Sequence, residues 1–156
     1  MSRKIKYVWE HYLTKEIAIE FKACLYFFSI LFYYCMYRLA IGNSEASILH
    51  MAEMIFLTYG MGYVQVYLLS GFDEGEQFKG RELFYTILCS TIYALISYFG
   101  RWFDRNIGVS AGFWLYMIFL YVCVFFVYKS KRRIDEKILN EDLKSFQERR
   151  RNEESN

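Results

Sequence analysis

Residues Phe113 to Arg151 read FWLYMIFLYVCVFFVYKSKRRIDEKILNEDLKSFQERRR, and the junction inside this stretch decides the fold. The first sixteen residues, through Tyr128, carry no charge, and from Lys129 onward charged side chains dominate. Neither Pro nor Gly interrupts the change, so nothing in the backbone stops one helix from running through it. An apolar helix that enters a charged one without a hinge has the pattern of a membrane span with an aqueous extension.

Working outward, the rest of the 156-residue chain repeats the apolar half of that pattern. Apolar residues make up 55% and aromatics 21%. A soluble domain would scatter its charges, whereas here they gather at the two ends and in two loops and leave four apolar runs. A span needs about 20 residues, and the four runs that qualify are 23–41, 46–70, 83–99 and 107–128. The third is short, but Arg81 and Arg101 flank it and can reach the headgroups. A membrane barrel needs at least about eight alternating strands. These few continuous runs fit helices, which satisfy their own backbone hydrogen bonds in lipid. The expected fold is all-α, a polytopic membrane protein of four transmembrane helices.

Lysine and arginine counts set the expected orientation. Sixteen lie in residues 1–22, the second loop and the tail, against Arg101 and Arg105 in the third loop and none in the first. Both termini are therefore expected in the cytoplasm, at the plasma membrane. Residues 1–22 contain no uncharged run long enough for a cleavable signal. Ile5, Val8, Trp9, Tyr12 and Leu13 fall on one helical face there, which predicts an interfacial helix lying on the cytoplasmic leaflet. The tail, 129–156, carries nine basic and seven acidic residues. Its first cations anchor the inner surface. Beyond them Ile134, Ile138, Leu139, Leu143 and Phe146 form a broken apolar stripe on a charged helix, a candidate docking surface for a cytoplasmic partner or a second copy.

Polar residues inside spans are costly and so are candidate sites. Arg38 and Glu53 flank the short first loop and are placed to pair near the outer surface, with His50 one turn before Glu53. Together they are a candidate sensing group. Gln65 is expected to hydrogen-bond a neighbouring helix. Gly60 and Gly62 in the second span, and the GxxxG of Gly108 and Gly112 in the fourth, mark close packing within the bundle or between copies. Cys24, Cys35, Cys89 and Cys123 all lie in apolar runs without CxxC spacing, as packing residues do. His11 and His50 are on opposite sides of the membrane in this topology, so no histidine metal centre is expected. Asp73, Glu74 and Glu76 in the second loop lack calcium-loop spacing and read as a solvated turn. No hydrolase, nucleotide-binding or metalloprotease motif is present. No catalytic residue, cofactor or direct nucleic-acid contact is expected.

The passage FLYVCVFFVYKSKRRIDEKILNEDL, 119–143, together with the short outer hairpin after the first span, carries a resemblance. Over residues 20–145 the chain resembles the small four-span membrane proteins encoded beside LytTR-type DNA-binding regulators in low-GC Gram-positive bacteria. It departs from them in placing Trp114 in the outer half of the last span. The resemblance implies a membrane partner that restrains a cognate transcription regulator and releases it on a signal. The expected function is thus a non-enzymatic membrane regulator that holds a cytoplasmic protein. The other reading is a small accessory subunit of a transporter or channel, with Arg38, Glu53 and Gln65 along a path or assembly seam.

Overall fold

The computed structural model describes residues 3–69 and 80–154. The acidic loop with Asp73, Glu74 and Glu76 lies outside the described residues, as does the last residue of the expected second span, Ser70. Among the described residues the fold is all-helical. Four α-helices follow one another: α1 Arg3–Ala40, α2 Ile48–Tyr63, α3 Gly80–Phe99 and α4 Ile107–Glu154. A π-helical turn, Val64–Leu68, continues α2 without a break.

Three helices are long and apolar enough to cross a membrane: α1 over Tyr12–Ala40, α3 over Gly80–Phe99, and α4 over Ile107–Arg151. The polarity of the packing agrees with lipid as their solvent. Large apolar side chains point outward, among them Phe28, Phe32, Phe56, Leu115, Phe119 and Phe126. Polar ones are buried: Lys22, Thr58, Gln65, Glu82, Thr86, Ser90 and Ser97. A water-soluble fold does not expose so much contiguous apolar surface.

Helix ends follow local chemistry. Gly42, at φ 75°, closes α1. Its N–H donates to the Leu39 carbonyl and that of Asn43 to the Arg38 carbonyl, both at 3.0 Å, the paired bonds of a left-handed C-terminal cap. Ser47 caps α2 by accepting from the His50 N–H. The same type of cap closes α3, but with Arg101 at φ 58° in the position glycine usually takes. Asp104 and Arg105 are left-handed as well, so this loop stores strain that its packing must hold.

Helix α1 packs chiefly on α2 and α3 on α4, giving two hairpins. Aromatic side chains join them. Tyr33 of α1 meets Phe113 at 5.3 Å and Tyr116 at 5.1 Å between ring centres, and Tyr26 meets Tyr121 at 4.9 Å. Two tyrosines also donate across the seam: Tyr33 to the Val109 carbonyl at 3.2 Å and Tyr116 to the Ser29 carbonyl at 3.1 Å. Trp102 and Phe103, in the loop after α3, are fully buried and close the core at that end.

The expected boundary between an interfacial segment, 1–22, and the first span is not marked by a break. Helix α1 runs unbroken from Arg3 to Ala40, and Ile19 and Lys22 are already buried in the bundle. No Pro or Gly lies between residues 3 and 40 to turn the chain into the interface plane.

Candidate functional site

The end of the bundle away from the termini, where the two short loops meet, holds Arg38, His50 and Glu53. Arg38 and Glu53 are not brought together there. The Arg38 Nε donates to the Glu45 carbonyl at 3.1 Å, and its guanidinium lies 3.9 Å from the Asp104 carboxylate. The Tyr37 hydroxyl donates to the same carboxylate at 3.0 Å. Glu53 instead accepts the indole N–H of Trp102 at 2.7 Å. The hairpin puts residues 38 and 53 at similar depth, but helix rotation decides what each faces, and both turn to the loop after α3. His50 lies beside Tyr34, its Nδ1 3.3 Å from the hydroxyl oxygen. That oxygen accepts the Ser47 N–H at 3.2 Å. The three expected residues thus form two linked groups under one strained loop, Arg38 with Asp104 and Glu53 with Trp102, with His50 against Tyr34 to one side.

Gly100 makes this closure possible. A Cβ there would lie 2.9 Å from the Trp102 indole nitrogen and 3.0 Å from the Ile96 carbonyl. Any larger residue would push the indole off Glu53.

The second polar group is inside the bundle. The π turn carries Gln65, fully buried, whose amide donates to the Tyr121 hydroxyl at 2.5 Å. Its carbonyl oxygen has no partner among the described residues. The Thr86 and Ser90 hydroxyls on α3 are likewise buried and unpartnered. Serines and threonines on helices usually donate back to a carbonyl of the preceding turn. Ser29, Thr58, Thr91 and Ser97 do so here, at 2.7–3.0 Å. Thr86 and Ser90 are exceptions on the buried face of α3.

Lys22 and Glu82 deepen this polar interior. Lys22 is 0% exposed, with its ammonium 6.0 Å from the Tyr128 ring centre. Glu82 is buried beside Arg81, 3.4 Å away. In the sequence Lys22 stands only among the sixteen cations that set the expected orientation, and Glu82 carries no expectation. Helical spacing was the available signal: Ile19, Lys22, Ala23, Tyr26, Ile30 and Tyr34 fall on one face of α1, and Glu82, Thr86, Ser90, Tyr93 and Ser97 on one face of α3.

Among the glycines, Gly62 and Gly112 sit at close approaches. A Cβ would meet Ile19 at 3.2 Å in the first case and the Tyr33 hydroxyl at 2.8 Å in the second. Gly60 has open space, and Gly108 faces only its own cap residue Asn106 at 3.4 Å. Within the chain, the close approach made by the GxxxG pair is at Gly112. The four cysteines are free thiols. Among the described residues no group of three or more His, Cys, Asp or Glu side chains is placed to hold a metal ion.

The third feature is the extension of α4. It stays helical to Glu154, and Ile134, Ile138, Leu139, Leu143 and Phe146 are all exposed. They do not form one stripe. Leu139, Leu143 and Phe146 each follow Tyr121, Phe125 and Tyr128 by eighteen residues, about five full turns. They therefore repeat the bearing by which α4 packs into the bundle. Ile134 and Ile138 repeat Tyr116 and Leu120 instead, the edge of that packing face turned toward α1. The four-one-four-three spacing splits the five residues at about 100° per residue.

No protein-family model, curated protein or solved structure matches the chain.

Proposed function

We propose that the chain is a four-span membrane protein with both ends in the cytoplasm, that it catalyses no reaction, and that it holds a soluble regulatory protein on the extension of α4. The observation that carries this reading is the bundle-facing bearing of α4 continued past the apolar segment. Leu139, Leu143 and Phe146 are 61%, 49% and 61% exposed on it. An apolar face that continues a packing face is made to be covered. The fourth span is α2 with its π turn, Ile48–Leu68, about 31 Å of helix and enough for a bilayer core. The orientation rests on the excess of Lys and Arg on the side of the termini. The partner favoured by the resemblance is a LytTR-type transcription regulator, held at the membrane and released when the outer loops respond to a signal.

The test is capture of a purified LytTR-type regulator by the full chain in mild detergent. Leu143→Lys is expected to weaken capture at least about tenfold, since burying one leucine contributes about 1.5–3 kcal/mol. Ile134→Lys is expected to leave it intact. Capture that survives both Leu143→Lys and deletion of Ile134–Asn156 would overturn the role of the extension. Self-association of the full chain, lost in Leu143→Lys, would assign the face to a second copy instead.

A second reading, an accessory subunit of a transporter or channel, is favoured by the buried Lys22, Gln65 and Glu82, because ionisable groups inside spans commonly line transport paths. Ion flux in vesicles holding only this chain, abolished by Lys22→Met, would support it over the first.

A further inference from the structure

The seam between α1 and α4 is closed in its outer half by the two tyrosine bridges from Tyr33 and Tyr116. In its inner half the helices stand apart and leave a groove of about 610 Å³. One wall is Ile17, Phe21 and Leu25 of α1, and the other is Leu120, Val124 and Val127 of α4. Small residues floor it, with Ala18 on one side and Cys123 on the other. The groove starts at the level of Leu25 and Leu120 and ends at Thr14 and Lys131.

That length is twelve residues on each helix, eleven steps of about 1.5 Å or about 16 Å, half of a hydrocarbon core of about 30 Å. The groove is therefore one leaflet deep. Its closed end is apolar, and its mouth carries Lys131. A slot one leaflet deep, open sideways on two membrane-crossing helices and ending at a cation, matches one kind of molecule in shape and charge.

We propose that this groove binds one acyl chain of an anionic phospholipid of the leaflet on the side of the termini, with the headgroup phosphate at Lys131. The apolar walls take the chain and exclude a polar or peptidic occupant. The lysine selects an anionic headgroup over a zwitterionic one. The occupant fills the gap that the tyrosine bridges leave and so couples the two hairpins at their inner end. The proposal rests on the reading of the chain as membrane-spanning.

The experiment reconstitutes the full chain in phosphatidylcholine vesicles that carry spin-labelled phosphatidylglycerol or spin-labelled phosphatidylcholine. The fraction of motionally restricted lipid is compared. The native chain should favour phosphatidylglycerol about fivefold, the contribution of one lysine close to an anionic lipid. Lys131→Gln, at an exposed position, should bring the two lipids to parity. Ala18→Trp fills the groove and leaves every charge in place, and it should also abolish the preference. Equal restriction of both lipids by the native chain overturns the proposal. A preference that persists in Ala18→Trp overturns it too, since surface cations alone would then account for it. A chain removed from the vesicles by an alkaline carbonate wash would instead sink the membrane reading.

Discussion

The indole N–H of Trp102 donates to the carboxylate of Glu53 at 2.7 Å, and this bond ties the loop after α3 to the side of α2. Trp102 is buried, so loss of the Glu53 acceptor leaves the indole N–H without water. Trp102→Phe keeps the ring and removes the donor. A hydrogen bond to a charged group contributes about 1.5–3 kcal/mol, and the variant should lose about that much stability in denaturant unfolding of the detergent-solubilised chain. Glu53→Gln retains a neutral acceptor and should lose about half as much. If the two losses simply add in the double variant, the pair does not act as a pair.

The two glycines one turn apart in α4 should respond oppositely to alanine. At Gly112 a Cβ would stand 2.8 Å from the Tyr33 hydroxyl, which is held by its bond to Val109. Gly112→Ala should displace that tyrosine and lower the unfolding midpoint, by about 1–3 kcal/mol for an overpacked contact. Gly108 meets only the Asn106 side chain, at 3.4 Å. Gly108→Ala should be tolerated, since alanine in a helix is worth up to about 1 kcal/mol over glycine. Equal effects at both sites would mean that the Tyr33 bridge does not form.

Gln65 and Tyr121 predict an asymmetry. Tyr121→Phe leaves the whole Gln65 amide buried without a partner, whereas Gln65→Met removes the amide together with its unpartnered carbonyl oxygen. Stranding a buried polar group costs about 1–3 kcal/mol, while replacing both partners of a buried bond with apolar shapes is close to neutral. Thermal unfolding should therefore find Tyr121→Phe clearly less stable than the double variant Tyr121→Phe with Gln65→Met. The reverse order would show that the Gln65 carbonyl has a strong partner.

Arg101 is held at φ 58°. The left-handed conformation costs a non-glycine residue roughly 1–2 kcal/mol. Glycine gives back only about 0.4–1 kcal/mol through its freer unfolded chain. Arg101→Gly should raise the melting temperature, and Arg101→Ala should not. A fall with glycine would mean that the arginine side chain contributes more than its backbone strain removes.

Much of this architecture is visible in the residues. The apolar run that begins at Ile107 starts α4, and the absence of Gly and Pro after Tyr128 foretells its unbroken course. What could not be read is how the helices are rotated toward one another. Arg38 and Glu53 are close along the hairpin, yet each faces the loop after α3. In the sequence that loop entered only the orientation count, through Arg101 and Arg105. Its Trp102 and Phe103 are core residues because a strained backbone folds them back over the bundle. Lys22 stood only among the cations that set the expected orientation, although its spacing from buried neighbours places it inside. Charge alone marks a residue as flanking, and only the face it shares with others marks it as interior.

The two proposed sites on α4 stand at different distances from the proposed membrane surface, and salt should separate them. Lys131 lies three residues past Tyr128, about 4.5 Å along the helix and inside the Debye length of about 8 Å at physiological ionic strength. Leu139 to Phe146 lie eleven to eighteen residues past Tyr128, about 16–27 Å and well outside it. Added salt should erase the headgroup preference of the groove while leaving an apolar grip on the extension unchanged. On these proposals, one uninterrupted helix carries one surface governed by the charge of the membrane and another that is electrically blind to it.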